Sequence, residues 1–287
     1  MSSPPFLQLP GLAHARSVET SRGVFAAHEA AAPGQPRGTA LLVPGFTGSK
    51  EDFIALLEPL AKSGYRVVAV DQRGQYETGG PRDESAYARG ELVLDLLALT
   101  DALSERGPVH LLGHSFGGLV ARAAVIDHGP ERWASLTLLS SGPAAIEPGD
   151  AAKVRMLLDA IPLMDMESIW QAKADLDAPE ETPPTSDPVI EEFLHRRWLA
   201  TVPEHLMAVG GQLLTEPDRV DELAEVDIPV LVASGGTDNA WPVPWLDEMA
   251  RRLRALRAVI PDAGHSPNAE YPAETASALV AFWDSVR

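Results

Sequence analysis

The sequence predicts an α/β fold, a mostly parallel sheet with helices on both faces. Short runs rich in valine and leucine recur along the 287 residues, and each is followed by a helical segment. The runs are continuously apolar rather than alternating, which is the pattern of strands buried on both faces. The chain is also 45% hydrophobic, enough to fill one large core.

In chain order, residues 17–28 read as a β-hairpin turning at Ser21-Arg22-Gly23. A strand at 39–43 precedes a helix over about 51–62, and a strand at 65–71 precedes a longer helix around 84–106. A strand at 109–113 runs into a helix starting at Phe116, and a fourth core strand lies at 134–140. Two late strands, 228–234 and 256–260, are each followed by a helix. Between about 143 and 226 the alternation stops. Helical patterning there (151–158, 189–199, 204–214) is divided by a proline-rich link at 179–188, with no convincing strand. The expected organisation is a core of residues 1–142 and 227–287, with residues 143–226 inserted as a helical cap. Insertions at the carboxyl edge of such sheets usually cover an active site.

Composition narrows the function. A formal net charge of -18 repels phosphate backbones and anionic lipid, so no nucleic-acid partner and no charge-driven membrane anchor is expected. The absence of cysteine removes disulfides, thiolate metal sites and a cysteine nucleophile together. Residues 1–10 lack the basic and apolar regions of a signal peptide, and no apolar stretch reaches the roughly 20 residues of a membrane span. A cytoplasmic chain is the expectation. The eight histidines show no metal-ligand spacing and no His-Glu-x-x-His, so neither a metal nor an organic cofactor is expected. Oligomeric state leaves no signal in the sequence.

The most informative segment is Gly113-His114-Ser115-Phe116-Gly117-Gly118, placed where a strand ends and a helix begins. A serine on so tight a turn is lifted above the sheet edge, and the flanking glycines let strand and helix approach. The helix N-terminus offers free N–H groups to a developing oxyanion. Such a serine needs a base, and the base an orienting carboxylate. Asp238 follows one late strand in Gly235-Gly236-Thr237-Asp238, and His265 follows the other in Asp262-Ala263-Gly264-His265. Either alone reads as an ordinary turn residue or solvated loop. Together, in the order Ser, Asp, His at successive strand ends, they make a candidate triad.

On these residues the chain resembles the α/β-hydrolase family, over about 39–141 and again from 228 onward. Leu42-Val43-Pro44-Gly45-Phe46 is similar to the family's oxyanion loop, which implies that the backbone N–H of Phe46 is one oxyanion donor and that of Phe116 the second. Asp71-Gln72-Arg73-Gly74 resembles the family's Asp-x-Arg-Gly turn. Two departures stand out. Pro44 occupies the place of a common histidine, so its bracing must come from elsewhere, and Tyr76 replaces a second glycine.

The resemblance implies two-step acyl transfer, from a small-molecule substrate to Ser115 and then to water. Family members that are epoxide hydrolases or haloalkane dehalogenases carry aspartate where Ser115 stands, which disfavours both. A carboxylic ester of a largely apolar substrate is the expectation. Carbon–carbon hydrolases, aminopeptidases and triad-bearing ligand receptors remain alternatives. His114, Trp170, Trp198 and Trp241 are candidate substrate contacts, although aromatic residues of this kind more often pack a core.

Overall fold

The computed structural model describes residues 2–177 and 187–286. The proline-rich link expected at 179–188 lies outside these residues except for Asp187 and Pro188, which open a helix. Eight strands form one sheet: β1 (Ala13–Thr20), β2 (Gly23–Ala30), β3 (Gly38–Val43), β4 (Tyr65–Val70), β5 (Val109–His114), β6 (Trp133–Leu139), β7 (Val230–Gly235) and β8 (Leu256–Ile260). Their order is β1-β2-β4-β3-β5-β6-β7-β8. The β1–β2 hairpin and the β2–β4 pair are antiparallel, and every later pairing is parallel.

The continuous apolar runs have a direct explanation in the packing. Successive strand residues point to opposite faces. Leu41, Val43, Val68, Val70 and Leu111 enter one core, with helices α2 (Arg89–Leu103) and α3 (Phe116–His128). Ala40, Leu42, Val67, Ala69 and Leu112 enter the other, against α1 (Ile54–Lys62) and the C-terminal helix α11 (Pro272–Ser285). With both faces covered, neither tolerates a polar alternation.

The helix expected around 84–106 is interrupted. A 3-10 turn at Glu84–Tyr87 is capped by Asp83, and Ala88, with ψ of 150°, breaks it from α2. Between β6 and β7 lie α4 (Pro148–Ala160), α5 (Met166–Asp177), α6 (Pro188–Ala200), α7 (Pro203–Thr215) and α8 (Val220–Ala224). Patterning predicts α4, α6 and α7. It misses α5, on which Ile169 is the buried anchor, and the five-residue α8.

Buried ion pairs tie this helical segment to the sheet domain. Arg197 of α6 donates to Asp52 Oδ1 at 2.7 Å and to the Ser2 carbonyl at 2.7 Å. Glu216, after α7, accepts from Arg122 of α3 at 2.8 Å and pairs with Arg89. Burial pushes the Asp52 carboxyl up to about 6 against the pull of Arg197. Asp52→Ala is expected to destabilise the fold by about 3–5 kcal/mol, read as a lower urea midpoint, because it leaves a buried guanidinium without its counter-charge.

Candidate active site

Ser115 sits between β5 and α3 with φ 53° and ψ -122°, a backbone conformation that costs a non-glycine residue energy. The surrounding glycines make the turn possible. At Gly113 an added Cβ would collide with the backbone of Gly117 and Gly118, and at Gly117 with the carbonyls of Val43 and Pro44. Gly117→Ala is therefore expected to cost about 3 kcal/mol in chemical denaturation, since backbone on both sides cannot yield without moving α3 off the sheet.

The loops after β7 and β8 bring Asp238 and His265 together. His265 Nδ1 lies 2.9 Å from Asp238 Oδ1 and 3.0 Å from Oδ2. The Asp238 side chain is fully buried, and its Oδ1 also accepts from the N–H groups of Ala240 at 2.9 Å and Trp241 at 3.1 Å. The carboxylate is thereby fixed at the end of β7 with its charge facing one ring nitrogen. The His265 side chain is one-third exposed. Ser115 is joined to this pair through its neighbour, because His114 Nε2 donates to the carbonyl of His265 at 2.9 Å.

Gly45, in the loop after β3, faces the serine closely: a Cβ there would lie 3.0 Å from Ser115 Cβ. The brace that Pro44 cannot supply comes from two glutamines after β4. Gln72 Nε2 donates to the Pro44 carbonyl at 2.9 Å, and Gln75 Nε2 donates to the Gly45 carbonyl at 2.7 Å. The Gln72 N–H donates in turn to Gln75 Oε1 at 3.0 Å. Both carboxamides are buried, so the loop carrying Phe46 is held by satisfied hydrogen bonds rather than by packing alone. Tyr76, the other departure, packs under α6, with Phe193 5.6 Å from its ring and the Lys50 ammonium 4.7 Å above it.

The candidate substrate contacts fall into different places. His114 is buried and engaged with the His265 backbone. Trp241 is wholly buried, donates Nε1–H to the Ala144 carbonyl at 2.8 Å and stacks on His265 at 6.2 Å. Its ring packs against His265. Trp198 is also buried and donates to the Met166 carbonyl at 2.7 Å, packing with Ile169 and Leu206. Trp170 is partly buried beside it, 6.4 Å away, and Phe46 packs against the same group. The side chain of Phe116 is buried beneath the Arg89 guanidinium, 4.6 Å from its ring.

His205 of α7 was not legible as part of this site. It is fully buried against Tyr87, ring to ring at 5.4 Å, and beside the backbone of Phe46 and Arg73. Burial pushes it down to about 4. An unfolded histidine titrates near 6.5, so the unfolded chain binds the extra proton first as the medium acidifies. The stability His205 supplies is whole above about 6.5 and is lost as pH falls toward about 4. Relative to His205→Gln, the wild type is expected to lose about 1.4 kcal/mol per pH unit across that window, measured by urea unfolding at pH 7, 6 and 5.

Among the described residues no helix is long and apolar enough to cross a membrane, and no group of three or more acidic, histidine or cysteine side chains could hold a metal ion. The chain is 31% identical over 224 residues to a pimeloyl-[acyl-carrier protein] methyl ester esterase of Aeromonas hydrophila, covering 75% of this chain and 83% of that one. It is 30% identical over 210 residues to a non-heme chloroperoxidase of Streptomyces lividans, covering 67% and 71%. A solved esterase from Thermogutta terrifontis superimposes with a TM-score of 0.74 at 25% identity, covering 95% of this chain and 99% of that one. The family model described as "Alpha/beta hydrolase family" matches residues 40–278, and with the sheet order and strained serine turn described above, the chain belongs to the alpha/beta hydrolase family.

Proposed function

We propose that this hydrolase cleaves a carboxylic ester of a small, largely apolar molecule, with Ser115 as nucleophile, His265 as base and Asp238 as its orienting carboxylate. The observation that carries the reading is the His265 Nδ1–Asp238 contact at 2.9 Å, set beside a serine held at φ 53°. With Nδ1–H committed to Asp238, Nε2 is the nitrogen free to take the Ser115 proton as the hydroxyl attacks the ester carbonyl. The N–H groups of Phe46 and Phe116 stabilise the oxyanion, each donor being worth about 10²–10³ in rate. His265 returns the proton to the leaving alcohol and then activates water to release the acid. No cofactor takes part.

Residues 143–226 serve as a cap in this reading. Ile169, Trp198 and Leu206 pack on Phe46 and give the acyl or alcohol side an apolar wall. The esterase names among the relatives support an ester, and the proline iminopeptidases that stand beside them at 26–28% identity make the amide the second reading.

The test labels purified protein with a fluorophosphonate, maps the adduct by mass, and follows turnover of p-nitrophenyl esters, a thioester, a lactone and a proline arylamide. Labelling at Ser115 with ester turnover is the expected result. Labelling elsewhere would remove the triad, and turnover of the arylamide alone would replace esterase by aminopeptidase.

A further inference from the structure

We propose that Glu270 and His114 form a clamp on the backbone of His265 and are positioning residues for the base. The proposal rests on the hydrolase reading above for what the base does, but the clamp itself is a matter of geometry. The Glu270 carboxylate accepts from two N–H groups, one on each side of the histidine: Gly264 at 2.6 Å through Oε2 and Ser266 at 2.9 Å through Oε1. His114 Nε2 donates to the carbonyl of His265 itself at 2.9 Å. The peptide units that carry the imidazole are thus held from the strand β5 side by a donor and from the opposite side by a two-oxygen acceptor.

The residue types suit the task. Two converging N–H groups call for an acceptor with two equivalent oxygens, and the negative charge strengthens both bonds. A carboxamide in the same place would accept one N–H and turn its own NH2 against the other. Glu270 belongs to the short helix α10 (Pro267–Glu270), whose first turn is closed by Ala269 N–H and Glu270 N–H donating to the Ser266 carbonyl at 2.9 and 3.0 Å. That turn delivers the carboxylate back over the loop. The loop has little room of its own on the other side, where a Cβ at Gly235 would overlap the carbonyls of Gly264 and Ala263.

His114 performs its part as a neutral ring. Burial, with a smaller contribution from the neighbouring His265, pushes it down to about 3. To donate through Nε2 the neutral ring must leave Nδ1 bare, and Nδ1 is buried with no hydrogen-bond partner. The rings of His114 and His265 are 5.1 Å apart, so a second charge on His114 would oppose the imidazolium formed in catalysis. An uncharged donor at this place fixes the base without competing with it.

The experiment compares Glu270→Ala, Glu270→Gln, His114→Met and His114→Gln with the wild type. Three readouts are taken: kcat and KM on the best ester, the downfield proton NMR signal of His265 Nδ1–H, and amide exchange at Gly264 and Ser266. Glu270→Ala is expected to lower kcat by about tenfold with KM unchanged, a small displacement of the base being enough for such a loss. It should also broaden the Nδ1–H signal and speed exchange at both amides. Glu270→Gln should recover little, whereas His114→Gln, which keeps a donor near the Nε2 position, should recover most of the kcat lost in His114→Met. Wild-type exchange and an unchanged Nδ1–H signal in Glu270→Ala would overturn the clamp, as would equal losses in His114→Met and His114→Gln. A protein that turned over no ester yet showed the NMR changes would retain the clamp and lose the esterase reading.

Discussion

Ser115→Ala is expected to lower kcat by on the order of 10⁶ and to abolish fluorophosphonate labelling, with the unfolding midpoint almost unmoved. In the proposed mechanism the loss is large because the base, its carboxylate and the oxyanion donors all serve the attack of one atom, the Ser115 Oγ, and the base has no second nucleophile to activate. Any activity that remains comes from binding and the oxyanion donors alone, about 10³–10⁴ above water. Stability responds differently. Alanine keeps the strained backbone of the turn, with φ 53°, while glycine at the same place relieves it. Ser115→Gly is expected to be as inactive as Ser115→Ala but more stable by about 1–2 kcal/mol in urea melts. A gain on removing the nucleophile would mark the turn as a place where stability is given up for chemistry.

Asp238→Asn is expected to lower kcat by about 10⁴ with little change in KM or fold. The structure gives the reason. Both carboxylate oxygens face His265 Nδ1, and Oδ1 also accepts from the N–H groups of Ala240 and Trp241, so an asparagine keeps its carbonyl oxygen there and sets its NH2 in the place of Oδ2, 3.0 Å from Nδ1, where it opposes a proton on that nitrogen. The NH2 presses the imidazole toward the tautomer with its proton on Nε2. That nitrogen can no longer take a proton from Ser115. Michaelis–Menten constants on one ester, with a circular-dichroism melt, separate this tautomer effect from a folding defect. A loss confined to KM would overturn the assignment of Asp238.

The elements that the sequence discloses are those fixed by near neighbours. Continuous apolar strands were legible because both sheet faces are covered, and the serine turn because Gly113 and Gly117 meet backbone only a few residues away or on the adjoining strand. Asp238 and His265 were legible as candidates from their strand-end positions, while their contact had to await the β7–β8 pairing. The glutamine brace was not legible. Gln72 and Gln75 reach Pro44 and Gly45 across 28 and 30 positions, and only the adjacency of β4 to β3 brings them there. His114 and Trp241 show the opposite limit. Closeness in sequence to Ser115 and Asp238 placed them at the site, but it carried no information on direction, and both turn toward His265. Glu270 left no sign at all, because an acidic residue on a short helix usually meets only solvent.

In the proposed mechanism, the chain order of the strands also governs when Ser115 acquires its base during synthesis. Ser115 follows β5, but Asp238 and His265 follow β7 and β8, with α4 to α8 made in between. At about 5–20 residues per second, the nucleophile leaves the ribosome on the order of 10 s before its base. Through that interval the serine turn can form on a partial sheet, yet its hydroxyl has no proton acceptor. Closure of the sheet by the two C-terminal strands is a long-range and therefore late event. In that mechanism reactivity waits for β8 and the loop that carries His265.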